Sequence, residues 1–572
     1  MKILLCAINA KYIHSNLAVY SLRAYAEKYK EQIEIAEFTI NHYADEIMEE
    51  IYKRKPDFLA FSCYIWNVEI VKKLIRELHK LLPDTVIWTG GPEVSYDAES
   101  FLKEMPETKG VMTGEGERSF LALLEYYLAG AGNLENISGI TYKGEDGKIF
   151  CNPCTEFLSM DDLPFMYEDM ENFQNKIVYY ESSRGCPFSC SYCLSSIDKR
   201  VRRKSLVLVE KELQFFLDQK VPQVKFVDRT FNCNHRHAIG IWTYIQKHDN
   251  GITNFHFEIA ADLINDEELE ILSKMRPGLV QLEIGVQTTN METLQEIERV
   301  TNLEKIKTVT KKIHDFKNIH QHLDLIAGLP FEEYGSFVRS FNEVYAMRPN
   351  QLQLGFLKIL KGSKMYHNVK KYEMAYRSFP QYEVLFTKWI SYEELMKLKN
   401  VEEMVEIYYN SFQFAHTIHA LEQEFQQPFD LFLNLGEYYE RNGLKHLNHS
   451  RMARFEILRD FILELRTGRE TWYENCMIFD LYLRENSKSR PKWAADSAKW
   501  KENAVEFYKR EEKEPLYLHE YRGYTYRQLI NMTHIEKFSY DVLGDGEEKE
   551  IMVLFDYKRR DPLTQDATVY KL

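Results

Sequence analysis

Ser183-Arg184-Gly185-Cys186-Pro187-Phe188-Ser189-Cys190-Ser191-Tyr192-Cys193 sets three thiols on one loop in the spacing C-x3-C-x2-C. Three of the chain's nine cysteines fall within the eight residues 186–193. The loop directly follows an apolar stretch, 177–181, that reads as a strand. Thiolates are the usual ligands of iron–sulfur clusters. Three of them on a tight loop hold three corners of a cubic 4Fe–4S cluster and leave the fourth iron open to a small molecule. A zinc site wants four ligands, typically with a distant second pair. His235 and His237 lie near Cys233 but show no paired zinc-ligand spacing. Cys186, Cys190 and Cys193 are therefore the expected cluster ligands.

Working outward toward the C-terminus, helix and strand signals alternate. Helices are expected at 206–217, 237–246, 266–275 and 303–316, with a further helix after Phe331. Strands are expected at 223–227, 255–259, 279–285, 320–327 and 351–357. With the strand before the cysteines this makes six strand–helix repeats, enough for a partial α/β barrel and short of a closed eightfold one.

Toward the N-terminus the first ~130 residues also alternate, as in an α/β domain with a parallel sheet. Strands are expected at 2–8, 33–40, 57–64, 85–89 and 110–113, with helices between them. Such a sheet places its ligand beyond the carboxyl ends of its strands. That draws attention to the loops 7–16, 62–67, 90–95 and 114–118. Glycines there either let backbone approach a ligand or serve as plain caps and turns.

The domains expected are 1–135, a linker with a small hairpin at 136–174, the barrel at 175–368, and a mostly helical region with terminal strands at 369–572. In the last, helices are expected at 391–409, 412–423, 430–442 and 450–465, and strands at 517–519, 535–540 and 550–556. The 572 residues fit about three or four domains. Net charge is 73 − 87 = −14, which argues against broad nucleic-acid binding but not against a local basic groove. No apolar run approaches the ~20 residues of a membrane-spanning helix, and the N-terminus lacks the pattern of a signal peptide. The expected location is the cytoplasm, where cysteines serve as thiols or metal ligands.

The loop resembles that of the radical S-adenosylmethionine (SAM) superfamily, which carries C-x3-C-x2-C with an aromatic before the last cysteine; Tyr192 stands there. Downstream, Phe226-Val227-Asp228-Arg229-Thr230-Phe231 is similar to the second-strand signature, though many relatives carry an acid in place of Arg229. Phe257-Glu258-Ile259 is similar to the third-strand segment, Glu283-Ile284-Gly285-Val286-Gln287 to the fourth and Gly328-Leu329-Pro330 to the end of the fifth. The resemblance implies that SAM chelates the open iron, with Tyr192, Asp228, Glu258 and Gln287 among its contacts. The first domain, with Ser62, Gly90, Gly91, Gly114, Glu115 and Gly116 at its strand ends, resembles the cobalamin-binding domain of cobalamin-dependent radical SAM enzymes. The D-x-H-x-x-G of many such domains is absent. His14 stands in that loop, either near the corrin or as a polar loop residue. The C-terminal region resembles an uncharacterised one on a bacterial branch of these proteins.

The resemblance implies a methyltransferase that attacks an unactivated carbon through a 5′-deoxyadenosyl radical and methylcobalamin. It also implies a reductant such as flavodoxin or ferredoxin. Other readings remain: a non-methylating rearrangement, ring contraction or oxidation; a cobalamin-independent enzyme with an empty first domain; or a redox or cobalamin sensor. The substrate is open, nucleic acid being disfavoured. Cys151 and Cys154 form C-x2-C without a partner pair, and Cys233 reads as a cavity thiol or a small buried hydrophobe. Lys199 to Lys204 is the most basic run, which suits an anionic ligand, a nucleic acid or a solvated helix entry.

Overall fold

The computed structural model describes residues 1–155 and 157–572. By compactness it divides into two units. The first comprises Met1–Phe316, Gly328–Glu333 and Phe356–Ser391; the second comprises Lys317–Ala327, Tyr334–Gly355 and Tyr392–Leu572.

The first unit opens with seven strands: β1 Ile3–Asn9, β2 Ile33–Thr39, β3 Phe58–Ser62, β4 Val86–Gly90, β5 Gly110–Met112, β6 Ile140–Lys143 and β7 Ile149–Asn152. Their spatial order is β2-β1-β3-β4-β5-β6-β7. The first five run parallel, and β6 and β7 add antiparallel. Alternation along β1 explains the layers, since successive side chains of a strand point to opposite faces. Leu4, Cys6 and Ile8 enter one apolar core with Ile47, Leu59 and Leu74. Ile3, Leu5 and Ala7 enter the other with Phe58, Trp88 and Phe120. The hairpin at 140–152 is part of this sheet: β6 pairs antiparallel with β5 in the register Gly110↔Tyr142 and Met112↔Ile140, so the sheet extends past residue 135 into the segment read as linker. Gly110 lets both neighbours approach, because a Cβ there would lie 2.9 Å from Thr141 O on β6 and 2.5 Å from the Trp88 ring on β4.

Next come β8 Val178–Tyr180 and two short strands, β9 Ser183–Arg184 and β10 Arg202–Arg203, which pair antiparallel. Four of the barrel strands follow: β11 Gln223–Phe226, β12 Asn254–Ile259, β13 Val280–Gln287 and β14 His320–Ala327. β15 is Gln351–Phe356. Within the first unit, β8, β11, β12 and β13 form a parallel sheet in that order. Helices separate the strands at Leu206–Asp218, His235–Lys247, Asp266–Ser273, Met291–Glu296, Leu303–Phe316 and Tyr334–Tyr345, so six strand–helix repeats are present as expected. Their starts carry side-chain caps where the sequence offers them. Asn234 accepts from His237 N, and Asn265 forms a capping box with Glu268. A small pair, β16 Ala375–Tyr376 and β17 Val384–Phe386, closes this unit.

The second unit contains β14, most of β15 and the C-terminal helices, including Pro428–Arg441, Arg451–Leu465, Glu470–Arg484 and Lys501–Lys513. It ends in an antiparallel sheet of β18 Thr533–Phe538, β19 Ile551–Arg560 and β20 Ala567–Lys571. The strand expected at 517–519 does not form. The Glu511 carboxylate accepts from the backbone amides of Leu516, Tyr517 and Leu518 at 2.9–3.1 Å, which takes the donors a ladder would need. Among the described residues no helix is long and apolar enough to cross a membrane.

Candidate functional site

The cysteine loop hangs from a neck, the β9–β10 ribbon, in which Arg202 stands opposite Arg184. Gly185 begins the loop at φ +94°, and a Cβ there would sit 2.3 Å from the Arg200 carbonyl oxygen, so only glycine lets the two limbs pass. Backbone bonds shape the rest. Cys186 N donates to Asp198 O (3.0 Å), Cys193 N to Cys190 O (3.1 Å) and Ser191 N to Ile297 O (2.9 Å). The thiols of Cys186 and Cys190 are buried and that of Cys193 is half-buried. Burial raises the pKa of Cys190, and repulsion from Cys193 and Cys186 adds to it; the Arg299 guanidinium, 3.7 Å away, pulls the other way. The three sulfurs thus lie within electrostatic reach of one another beside a fixed cation, the donor set a cubic cluster requires.

Arg299 ties this loop to the end of β13. Its Nη2 donates to Gly285 O. Gly285 is the middle of Glu283-Ile284-Gly285-Val286-Gln287, and a Cβ on it would meet the Gln287 amide nitrogen at 2.2 Å. The missing side chain lets Gln287, itself at φ +73°, fold its amide back over the strand end. Three polar atoms here are buried without a hydrogen-bond partner among the described residues: Gln287 Oε1, Ser191 Oγ and Arg299 Nε. Such groups cost ~1–3 kcal/mol each when left unpaired and in native proteins usually mark a missing ligand or water. The surroundings of the thiols therefore fit a polar small molecule as well as a cluster.

Other residues singled out from sequence are placed differently. Asp228 is fully buried and accepts from Ser182 N (2.9 Å), Ser182 Oγ (2.6 Å) and Ser183 Oγ (2.6 Å). Burial raises its pKa against those bonds. It pins the chain entering the neck. Thr230, two residues on, touches Cys186 Sγ at 3.6 Å. Tyr192 is half-buried against the loop; burial pushes its phenol pKa up, and the Arg299 charge opposes this. Glu258 projects to the same face as Glu283, its register partner on β13.

That face carries a charged group the sequence reading missed. Lys225 Nζ donates to Glu283 Oε2 at 3.0 Å, and His256 Nε2 lies 2.9 Å from the same oxygen. Burial works against the Glu283 charge, yet His256 and Lys225 bring its pKa down to about 2. The signal was available: Lys225, His256, Glu258 and Glu283 occupy one parity of strands whose other parity is apolar.

In the first domain, the loops after β1, β3, β4 and β5 gather at the carboxyl edge. After β3, Tyr64 and Trp66 stack with centroids 4.4 Å apart and planes 5° apart, and Trp66 is 37% exposed. Its Nε1 donates to Ile8 O, and Asn67 Nδ2 bonds Ile8 O and Ser62 O. Buried Ser62 bonds Tyr64. Gly90 ends β4, and its carbonyl accepts from Cys63 N at 2.7 Å. Gly91, at φ +107°, packs so close that a Cβ would meet Cys63 O at 2.5 Å. Gly114, at φ +76°, lies beside the Cys154 side chain, and Gly116 starts the helix Gly116–Ala129. The edge thus offers an aromatic plate, small residues and backbone, a surface that fits a flat macrocycle. It offers no cobalt-ligating histidine in the first loop. His14 bonds Tyr179 Oη through Nδ1 at 2.6 Å. Burial, then the charges of Lys11 and Lys225, lower its pKa.

The basic run is divided: Arg202 and Lys204 are drawn inward, whereas Lys199, Arg200 and Arg203 are exposed. Lys199 donates to Ser189 Oγ, Arg200 lies over the Phe157 ring, Arg202 pairs with Glu115, and buried Lys204 pairs with Glu212. Cys151 is exposed, Cys154 and Cys233 are half-buried, and none of the three is in a disulfide.

A row of parallel strands whose first loop presents three clustered thiols defines a radical SAM protein, and residues 180–344 match the Radical SAM superfamily. Residues 3–124 match the B12 binding domain, and residues 370–555 match the family described as "Protein of unknown function (DUF4080)". The chain thus carries, in order, a segment matching the B12 binding domain, one matching the radical SAM superfamily and one matching this C-terminal family. It is 25% identical over 309 residues to 2-(S-pantetheinyl)-carbapenam-3-carboxylate methyltransferase of Streptantibioticus cattleyicolor, covering 49% of this chain and 44% of that protein. It is also 25% identical over 321 residues to the anaerobic magnesium-protoporphyrin IX monomethyl ester cyclase of Rubrivivax gelatinosus, covering 53% and 56%. The chain thus spans about half the length of these curated relatives. The solved structure of the methyltransferase TsrM from Kitasatospora setae, with cobalamin and a [4Fe-4S] cluster, superposes with a TM-score of 0.53 at 15% identity. That match covers 65% of this chain and 75% of the other, and it establishes the shared fold.

Proposed function

We propose that this chain is a cobalamin-dependent radical SAM methyltransferase acting on an unactivated carbon. Cys186, Cys190 and Cys193 hold the 4Fe–4S cluster. SAM lies over the open iron, against Gln287, Ser191 and Arg299, with Tyr192 and Glu258 nearby. Cobalamin lies on the carboxyl edge of the first domain, over Tyr64 and Trp66 and against Ser62, Gly90 and Gly91. Bound together, these cofactors supply a hydrogen-abstracting radical and a methyl donor. The chain's own residues orient them and exclude water: Arg299 offsets negative charge beside Cys190, and Asp228 holds the neck through Ser182 and Ser183.

The observation that carries this reading is the set of partnerless polar atoms around three clustered thiols, at the mouth of a barrel preceded by a B12-binding domain. The domains then divide the work: 1–135, with its added hairpin, for cobalamin, 175–368 for the cluster and SAM, and 369–572 for the substrate. A reductant of the flavodoxin or ferredoxin kind supplies the electron, in the cytoplasm.

Anaerobic reconstitution with iron, sulfide and hydroxocobalamin, followed by metal counting, tests the cofactor assignment. The expected result is about four irons and one cobalt per chain. Iron without cobalt overturns the cobalamin part, and no iron overturns the whole. A second reading, a non-methylating radical reaction such as ring closure, rests on the similarity to the cyclase. Methylated product from labelled SAM separates the two.

A further inference from the structure

Two arginines face each other across the neck of the cysteine loop, Arg184 on β9 and Arg202 on β10. Like charges placed directly opposite in a strand pair destabilise it unless counter-charges intervene. Here the counter-charges come mainly from the first domain, from the turn after β5. Glu117 receives Arg184 Nη2 at 2.5 Å and Nη1 at 3.2 Å, a forked pair. Glu115 accepts from both Nη1 (3.1 Å) and Nη2 of Arg202, and it stands 3.6 Å from Arg184. The barrel adds Glu181, bonded to Arg184 Nε at 2.9 Å, and Asp198, at 3.3 Å from Arg202.

These acids are built in. Glu117 is 4% exposed and also accepts from Ser21 Oγ at 2.9 Å. Burial disfavours its charge, but Arg184 outweighs burial and holds its pKa below the usual carboxylate range. Both acids sit at the start of the helix Gly116–Ala129, where the helix dipole favours negative charge. Leu158 is drawn in as well, its carbonyl accepting from Arg202 and its amide donating to Glu115. The turn that the sequence marks for a ligand thus spends its carboxylates on the limbs that carry Cys186, Cys190 and Cys193.

We propose that Glu115 and Glu117 are positioning residues for the cluster loop. Through Arg202 and Arg184 they set the neck, so that occupancy of the first domain's carboxyl edge is transmitted to the thiols. Glu115 and Glu117 do not touch the cofactors; they act through the two arginines. The inference rests on the two-cofactor reading above.

The test compares the native chain with Glu117→Gln, Glu115→Gln, Arg184→Gln and the Glu117→Gln, Arg184→Gln double variant. Each is reconstituted anaerobically with iron and sulfide, with and without hydroxocobalamin. The readouts are iron and cobalt per chain, the electron paramagnetic resonance spectrum of the reduced cluster with SAM, and the rate of reductive SAM cleavage. The expected result for Glu117→Gln is native metal content, an altered spectrum that no longer changes when cobalamin is added, and cleavage slowed about tenfold. The double variant is then no worse than Arg184→Gln alone, as for two members of one contact. A native spectrum with a native cobalamin response in both Glu variants overturns the proposal, as do effects of Glu117→Gln and Arg184→Gln that multiply. If Arg184→Gln loses its iron, Arg184→Lys replaces it in the cycle, since it keeps the charge and loses the fork. Absence of cobalt from the native chain would instead defeat the cobalamin reading; the spectra with SAM alone still decide whether the acids position the loop.

Discussion

The cysteine loop and the Gly114–Glu117 turn are both glycine-bearing loops at strand ends, yet they treat their polar groups differently. Around the cysteines, Gln287 Oε1, Ser191 Oγ and Arg299 Nε are buried without partners among the described residues. In the turn, Glu115 and Glu117 make ion pairs at 2.5–3.6 Å, and their carboxylates are committed to Arg184 and Arg202. Spacing alone ranks the two loops together. Hydrogen-bond accounting separates the carboxylates of the turn, which are satisfied, from the polar atoms around the cysteines; Arg202 Nε in the neck is the exception, buried without a partner among the described residues.

The largest effect that could break this contrast is removal of the thiols. Cys186→Ala, Cys190→Ala, Cys193→Ala together should abolish iron binding and cut SAM cleavage at least ~1000-fold, since the cluster has no other ligands. Cobalt per chain should stay as in the native protein; its loss would mean the two loops form one site.

The glycines should differ next. Gly185→Ala places a Cβ 2.3 Å from a carbonyl oxygen at φ +94°, while Gly114→Ala, at φ +76°, meets nothing closer than 3.6 Å. We expect ~3 kcal/mol or more of lost stability and reduced iron content for the first, and ~1 kcal/mol for the second. Chemical denaturation and iron assay read both.

Gln287→Ala sharpens the ligand side. It should weaken SAM binding about tenfold with unchanged stability, because the removed carbonyl oxygen has no partner among the described residues. Isothermal titration of the reconstituted protein checks it. Equal losses in stability and affinity would make Gln287 a structural residue.

A pH dependence marks the pin behind the neck. Buried His237 contacts Ser182 Oγ at 3.0 Å, and burial, with Arg203 adding, lowers its pKa from 6.5 to about 4. The folded state therefore holds it neutral where the unfolded chain takes up a proton. Its contribution is full above about pH 6.5 and is lost as the pH falls toward 4, by ~3 kcal/mol at most. Urea midpoints at pH 7.5, 6 and 5 should show that slope, and His237→Gln should flatten it.

Much of this was legible in the sequence because strand alternation and cysteine spacing are local signals. The six repeats, the cluster loop and the first parallel sheet follow from them. What escaped needed partners far along the chain. The small hairpin reads as such, but inside a linker, because nothing local says that β6 pairs with β5. Glu470–Arg484 went unread because it is buried on most faces and lacks a polar stripe. Glu115 read as a ligand contact because its true partner, Arg202, lies 87 residues away. Lys225 and His256 carry no motif; only strand parity brings them to Glu283.

The neck also has a consequence for the newborn chain. The acids at 115 and 117 leave the ribosome before the arginines at 184 and 202, by 67 and 87 residues. At ordinary translation rates that delay is on the order of ten seconds. During it, the first sheet can fold with two unpaired carboxylates waiting at its edge. The arginines, arriving on either side of the thiols, then dock on a finished template.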